Sequence, residues 1–412
     1  MFQRKLGLTL VLLGLAAIAL LTLIPDPEQE ELVRATPLAC LVCGELGGVD
    51  VILNLLLFLP FGLGLGLLGV PWPAVAALGL ATSGLVELLQ MKVVPGRDAS
   101  LGDLATNSAG ALLGATLARR AGALLFPTLG AAARLATAWG ILWLAGAALT
   151  GASLHPAPTG SDWYGQWAPE LGHLDRFRGE VLEAWAGGEP LRPGRWRDTP
   201  AWRARLTLDT FSLAATARAG PPTDRLAPIV SVFDDDQREV ALLGQWGTDL
   251  VHRIRMDPAR LRLRNPAVRL PGVLAVPPGD TVALLGGLRG PAYILTARGT
   301  SGTTEYVLPF SPHWTWALLL PYDYALGPEA GRLTALWLFG ILLPVGWWAA
   351  MAGPRARVVA AVLVLAGVAG TRVLLGFAGA PPGEWLGAAG GVLAGGLLAR
   401  AALGLNKPAS RR

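Results

Sequence analysis

Long apolar runs occupy both ends of the chain, and a polar, turn-rich stretch separates them. A helix needs about 20 apolar residues to cross a hydrocarbon core. Runs of that kind fall at 6–24, 49–68, 72–91, 101–118, 135–150, 333–350, 358–377 and 385–403. Between about 153 and 330 the apolar positions contract to short segments broken by Pro, Gly and Asp. Strands are expected at 179–184, 201–208, 211–219, 229–234, 239–245, 249–256, 281–285, 292–297 and 304–309, a rhythm that points to an antiparallel sandwich. The pattern therefore predicts an α-helical membrane protein of about eight transmembrane helices carrying an all-β jelly-roll sandwich. Its parts are a first membrane block (1–128), a fifth helix (129–152), the sandwich (153–330) and a last block of three helices with a tail (331–412).

Composition agrees with this picture: 52% of the 412 residues are hydrophobic and only 15% are charged, too few charges for an ordinary soluble protein of this length. The first run follows Arg4 and Lys5, and no small-x-small cleavage site follows Ile24-Pro25, so it reads as a retained anchor. Along an eight-helix path Arg4/Lys5, Arg119/Arg120/Arg134, Arg355/Arg357 and Lys407/Arg411/Arg412 share one side, the cytoplasmic one by the positive-inside rule. Both termini are then inside, and the acidic 26–50 loop and the sandwich are outside the cell membrane. The net charge of +5 sits largely in the inner loops and tail, and no basic run interleaved with aromatics appears. That argues against nucleic acid and for membrane lipids as partners.

One polar cluster interrupts the first block. Asp50 and Asn54 share a face of the second run, Glu87 and Gln90 close the third, and Arg97, Asp98, Asp103 and Asn107 lie at the start of the fourth. Ionisable groups at membrane depth are costly and are retained mostly where they pair or function. Ser100 is placed to cap the fourth helix, and Gly110 and Gly114 below form a small-xxx-small stripe for close helix approach. Asn54, Glu87, Gln90, Arg97, Asp103 and Asn107 are thus candidate headgroup-binding residues. The rival reading makes Glu87 or Asp103 a catalytic acid/base with Arg97 holding a phosphate, though no nucleophile accompanies them. Cys40-x-x-Cys43, the only cysteines, read as a local disulfide, with two unpaired thiols or a redox-active pair as alternatives; a zinc site lacks two further ligands. No cofactor motif is present.

The order Asn54-Leu-Leu-Leu-Phe58-Leu-Pro60-Phe61-Gly62, Glu87-Leu-Leu-Gln90, then Gly96-Arg97-Asp98-Ala-Ser-Leu-Gly-Asp103-Leu-Ala-Thr-Asn107-Ser-Ala-Gly110 resembles the VanZ-like family over about residues 6–120. The resemblance implies a role in resistance to the glycopeptide antibiotic teicoplanin or in the biology of envelope polysaccharide and its lipid-linked precursors. It names no reaction. The segments around Phe211–Ala217, Ile229–Phe233 and Val240–Arg255 resemble the laminin-G/concanavalin A-like lectin sandwich, which implies glycan binding, in some members through calcium.

Asp234-Asp235-Asp236 is then either a calcium ligand set or a solvated hairpin turn. Trp163, Trp167, Trp185, Trp196, Trp202 and Trp246 are either a sugar-stacking platform or core. Glu180, Asp234 and Glu239 carry no glycosidase signature, and His173 and His252 have no neighbouring nucleophile. Finally, Glu384–Arg400 aligns without gaps on Asp103–Arg119, with Arg372 preceding it as a possible basic counterpart. As a degenerate repeat it has Ala388 where the first copy has Asn107, so the expectation is a second copy that has lost its polar face and serves as scaffolding.

Overall fold

The computed structural model describes residues 2–25, 39–95, 100–170, 174–207, 210–300 and 302–405. Arg97, Asp98 and His173 of the sequence reading lie outside the described residues. The chain divides into two compact units, Met1–Thr128 with Leu261–Arg264, and Leu129–Arg260 with Asn265–Arg412.

The first unit contains α1 (Phe2–Thr22), α2 (Gly47–Leu67), α3 (Trp72–Lys92) and α4 (Leu101–Leu125). Gly69, at φ +79°, makes the turn after α2, and Pro71 with Pro73 starts α3 where a proline costs no helical hydrogen bond. Ser100 caps α4, its Oγ accepting the Asp103 N–H. The α2–α4 contact is backbone to backbone. A Cβ on Gly62 would lie 1.9 Å from the Ala111 carbonyl oxygen, and one on Gly110 2.4 Å from that of Leu55. Phe58, Phe61, Leu65, Val75, Ala111 and Ala115 fill the interior.

The second unit begins with α5 (Leu129–Ser153) and, after the sandwich, ends with α8 (Ala330–Ala352), α9 (Pro354–Leu374, with a π turn at Ala366–Gly370) and α10 (Pro382–Leu405). Among the described residues seven helices are long and apolar enough to cross a membrane. The eighth expected span, α4, is 25 residues long but dilutes its apolar positions with Gly, Asp103, Arg119 and Arg120. Leu12, Leu20, Leu142, Leu149, Leu386 and Leu397 are each more than half exposed, a density of bare leucine that water does not tolerate on helices of this length.

The sandwich packs a seven-stranded sheet on a six-stranded one. The first runs β13-β9-β8-β7-β6-β1-β4 and the second β12-β11-β10-β5-β2-β3. Their ranges are β1 Trp163–Trp167, β2 Glu180–Ala186, β3 Glu189–Pro190, β4 Gly194–Arg195, β5 Ser212–Arg218, β6 Thr223–Asp234, β7 Glu239–Gly247, β8 Asp249–Ile254, β9 Ala267–Leu270, β10 Thr281–Leu288, β11 Ala292–Gly299, β12 Gly302–Pro309 and β13 Ala325–Leu326. All neighbours are antiparallel except β13 with β9. Inward residues such as Leu213, Ile229, Val232, Leu243, Ile254, Leu284 and Leu295 form one core.

One expected strand is a helix. Residues 201–208, expected as one of the short strands between turn residues, instead lie largely in α6 (Thr199–Leu206). The Asp198 carboxylate accepts the Ala201 N–H, and Thr199-Pro200 begin the first turn, so a capped helix start replaces the expected strand. Between β12 and α8 a single short turn, α7 (Thr315–Leu318), intervenes.

His252 in β8 is fully enclosed, with its Nδ1–H donating to the Leu242 carbonyl at 2.9 Å. Burial pushes its pKa from 6.5 down to about 4. The unfolded chain then binds a proton that the folded one refuses, so stability is full above about pH 6.5 and falls as pH drops toward 4, by about 3 kcal/mol at most. Melts of the purified chain across that range are expected to show this slope, and His252→Gln to flatten it.

Candidate functional site

The site is assembled at one end of α2, α3 and α4. Asn54 on α2 donates its Nδ2–H to Asp103 Oδ1 at 2.7 Å. The Asp103 N–H donates to Ser100 Oγ at 3.0 Å, and the Ser100 N–H donates to Glu87 Oε2 at 2.8 Å. A hydrogen-bonded chain therefore runs from α2 through the cap of α4 to the buried carboxylate of α3. With Ser100 Oγ accepting the first-turn amide, the Asp103 carboxylate reaches Asn54 on α2. The strand of loop before α2 closes the same end: Gly102 N–H donates to the Cys40 carbonyl at 3.2 Å, and Cys40 and Cys43 are joined by a disulfide.

Two further candidates point elsewhere. Asn107, one turn deeper and buried, donates to Ser83 Oγ of α3 at 2.9 Å. Gln90 donates to the Thr22 carbonyl at the end of α1 at 3.0 Å. The carbonyl oxygens Asn107 Oδ1 and Gln90 Oε1 are buried without a hydrogen-bond partner among the described residues, so each has acceptor capacity that these residues do not use. Ser83 and the Thr22 carbonyl were not singled out in the sequence. A lone serine in an apolar run gives no periodic signal, and a backbone carbonyl gives none at all.

Among the described residues the centre is rich in acceptors, and the Ser100 hydroxyl beside the carboxylates is engaged in capping α4. Ser83 Oγ is engaged by Asn107, and no histidine occurs in residues 1–128. In the sandwich, the Asp234 carboxylate accepts the N–H groups of Asp236 (3.0 Å) and Arg238 (2.8 Å) and the Thr159 hydroxyl (2.6 Å). Asp235 accepts from Ser161, which holds its pKa below the usual carboxylate value, and Asp236 pairs with Arg238 at 2.9 Å. The run is a hydrogen-bonded turn, and among the described residues no group of three or more His, Cys, Asp or Glu side chains could hold a metal ion.

The remaining carboxylates considered for hydrolysis are also committed: Glu239 is bidentate with Arg253, and Glu180 pairs with Arg218. No facing pair remains among these candidates. Trp163 is fully buried and Trp196 nearly so, each packed against another indole, so neither presents a face for sugar stacking. Trp167 and Trp202 lean on the same core.

A scan against family models matches VanZ/LLP1 over residues 10–133. No curated protein matches the chain, and no solved structure does. The matched segment contains the whole hydrogen-bonded chain from Asn54 to Glu87, and the all-β region follows it. Residues 10–133 of this chain are a VanZ-like domain.

Proposed function

We propose that the VanZ-like domain binds the polar headgroup of a cell-envelope lipid, such as a lipid-linked glycan precursor, at the outer leaflet, without chemistry on it. The observation that carries this reading is the Asn54–Asp103–Ser100–Glu87 chain, flanked by the Asn107 and Gln90 carbonyl oxygens, which have no partner among the described residues. Arg97, which lies outside the described residues, enters this reading by its place in the sequence motif, where its planar fork would suit a phosphate. The domain sits in an eight-helix bacterial plasma-membrane protein with both termini cytoplasmic. In it α4 is held in the bilayer by α2, and the distribution of Lys and Arg sets the orientation.

The sandwich is extracytoplasmic in this account and is read as a lectin-like module that recruits envelope glycan. Protection against teicoplanin-type antibiotics follows if the bound headgroup belongs to the precursor they seize. The enzyme reading is set aside because, among the described residues, the hydroxyl between Glu87 and Asp103, Ser100 Oγ, is engaged in capping α4.

Two measurements test placement and role. A cysteine at exposed Thr303 on β12 is expected to react with a membrane-impermeant maleimide in intact cells, the native pair being disulfide-bonded; protection until lysis would invert the topology. Expression in a susceptible host is expected to raise teicoplanin tolerance, and Asp103→Ala to abolish the rise at equal protein level. No rise with the wild-type chain would remove the antibiotic part of the reading.

A further inference from the structure

The expected repeat around Glu384 extends to a second helix and to its packing. A Cβ on Gly346 would lie 2.0 Å from the Val392 carbonyl oxygen, one on Gly391 2.3 Å from that of Phe339, and one on Gly395 2.1 Å from that of Leu343. The first block has the same three contacts at Gly62 with Ala111, Gly110 with Leu55 and Gly114 with Leu59, at 1.9, 2.4 and 2.2 Å. Each α8 residue stands 284 positions after its α2 counterpart (Leu55 and Phe339, Leu59 and Leu343, Gly62 and Gly346). Each α10 residue stands 281 after its α4 counterpart (Gly110 and Gly391, Ala111 and Val392, Gly114 and Gly395). The prolines inside the helices, Pro60 and Pro344, keep the same offset of 284. A small-residue stripe alone recurs by chance; two helices in one register with a shared internal proline do not.

At the offset of 281, Asp103 corresponds to Glu384, and here the expected loss of polarity is corrected. Glu384 and Arg372 are each 2% exposed and pair through Oε1 and Nη2 at 2.6 Å. The same Oε1 accepts the Ser311 hydroxyl at 2.7 Å. Arg372 Nη1 donates to the carbonyls of Phe310 (3.2 Å) and Ala378 (2.9 Å). The Ser311 Oγ in turn accepts the His313 N–H at 3.1 Å, and the His313 ring stacks on Trp143 of α5. Where α2 offers Asn54 to its carboxylate, α8 has the fully buried Leu338. The carboxylate is held by the chain that leaves β12, and Phe310 itself packs into the sandwich core.

We infer that α5 and α8–α10 are a diverged second copy of α1–α4, with the sandwich inserted between its first and second helices, and that Arg372 and Glu384 turn the copy's polar position into a latch fixing the root of the sandwich. A buried pair of this kind contributes specificity while intact and is strongly destabilising when one partner is removed. The contrast with a ligand site rests on the headgroup reading of the first copy, and the latch itself does not.

The test uses the full chain in detergent with a single reporter, Pro312→Cys, buried between Ser311 and His313. In the otherwise wild-type background its maleimide labelling is expected to be slow. Arg372→Leu is expected to speed it at least tenfold while leaving lipid retention by the first block unchanged. Glu384→Gln, which keeps the shape, is expected to give an intermediate rate, so the comparison survives if Arg372→Leu does not accumulate. Labelling that is equally slow in both variants, or lipid lost from a variant whose reporter stays protected, would overturn the latch. An experimental structure in which Gly391 and Gly395 do not face the Phe339 and Leu343 carbonyls would overturn the copy.

Discussion

Gly62→Ala is expected to unfold the first membrane block, or to lower its stability by about 3 kcal/mol or more. The added methyl would lie 1.9 Å from the Ala111 carbonyl oxygen and 2.6 Å from its carbon, whereas carbon and carbonyl oxygen normally stay roughly 3.3 Å apart. Both atoms are backbone, so no side chain can swing aside and α2 must part from α4. Separation costs the dispersion contacts along the whole interface and moves Asn54 away from Asp103. Gly122→Ala provides the matched control: nothing lies within 4 Å of its Cβ, and alanine is the better helix former by about 1 kcal/mol. Melting temperatures of the two purified variants in one detergent check the contrast, with a loss for Gly62→Ala and none for Gly122→Ala.

The second large effect separates charge from structure at Glu87. Its Oε2 accepts the Ser100 N–H inside the protein, so Glu87→Ala strands a buried donor and is expected to cost about 1–3 kcal/mol. Glu87→Gln keeps an oxygen for that N–H while it removes the charge and turns the second acceptor oxygen into an NH2 donor. Its melting temperature is therefore expected to stay near that of the wild type while headgroup retention falls. Asp103→Asn works the same way toward Asn54, whose Nδ2–H still finds a carbonyl oxygen. A glutamine variant that lost stability as the alanine variant does would assign Glu87 to folding alone.

Much of the fold was legible because apolar length and turn spacing are strong local signals. The helices and most of the long strands fall near their expected positions. Residues 201–208 misled because the deciding group, the Asp198 cap, lies outside the segment read as a strand. The site was legible as a cluster but not as a set of bonds. Glu87 and Gln90, three residues apart, differ by about 60° around α3, enough for one to reach the α4 cap and the other to reach α1. The latch was half visible: Arg372 and Glu384 stand out as charges in apolar runs, but Ser311 and His313 sit between elements, where no periodicity marks them.

The central claim, that this end of the VanZ-like domain holds a lipid headgroup, is tested most directly by native mass spectrometry of the full chain purified from its membrane in mild detergent. The account predicts that the wild type carries a phosphate- or sugar-headed lipid, and that Glu87→Gln and Asp103→Asn, folded and melting near the wild type, retain it at least tenfold less. A wild-type chain without such a lipid, or variants that retain it equally, would contradict the account.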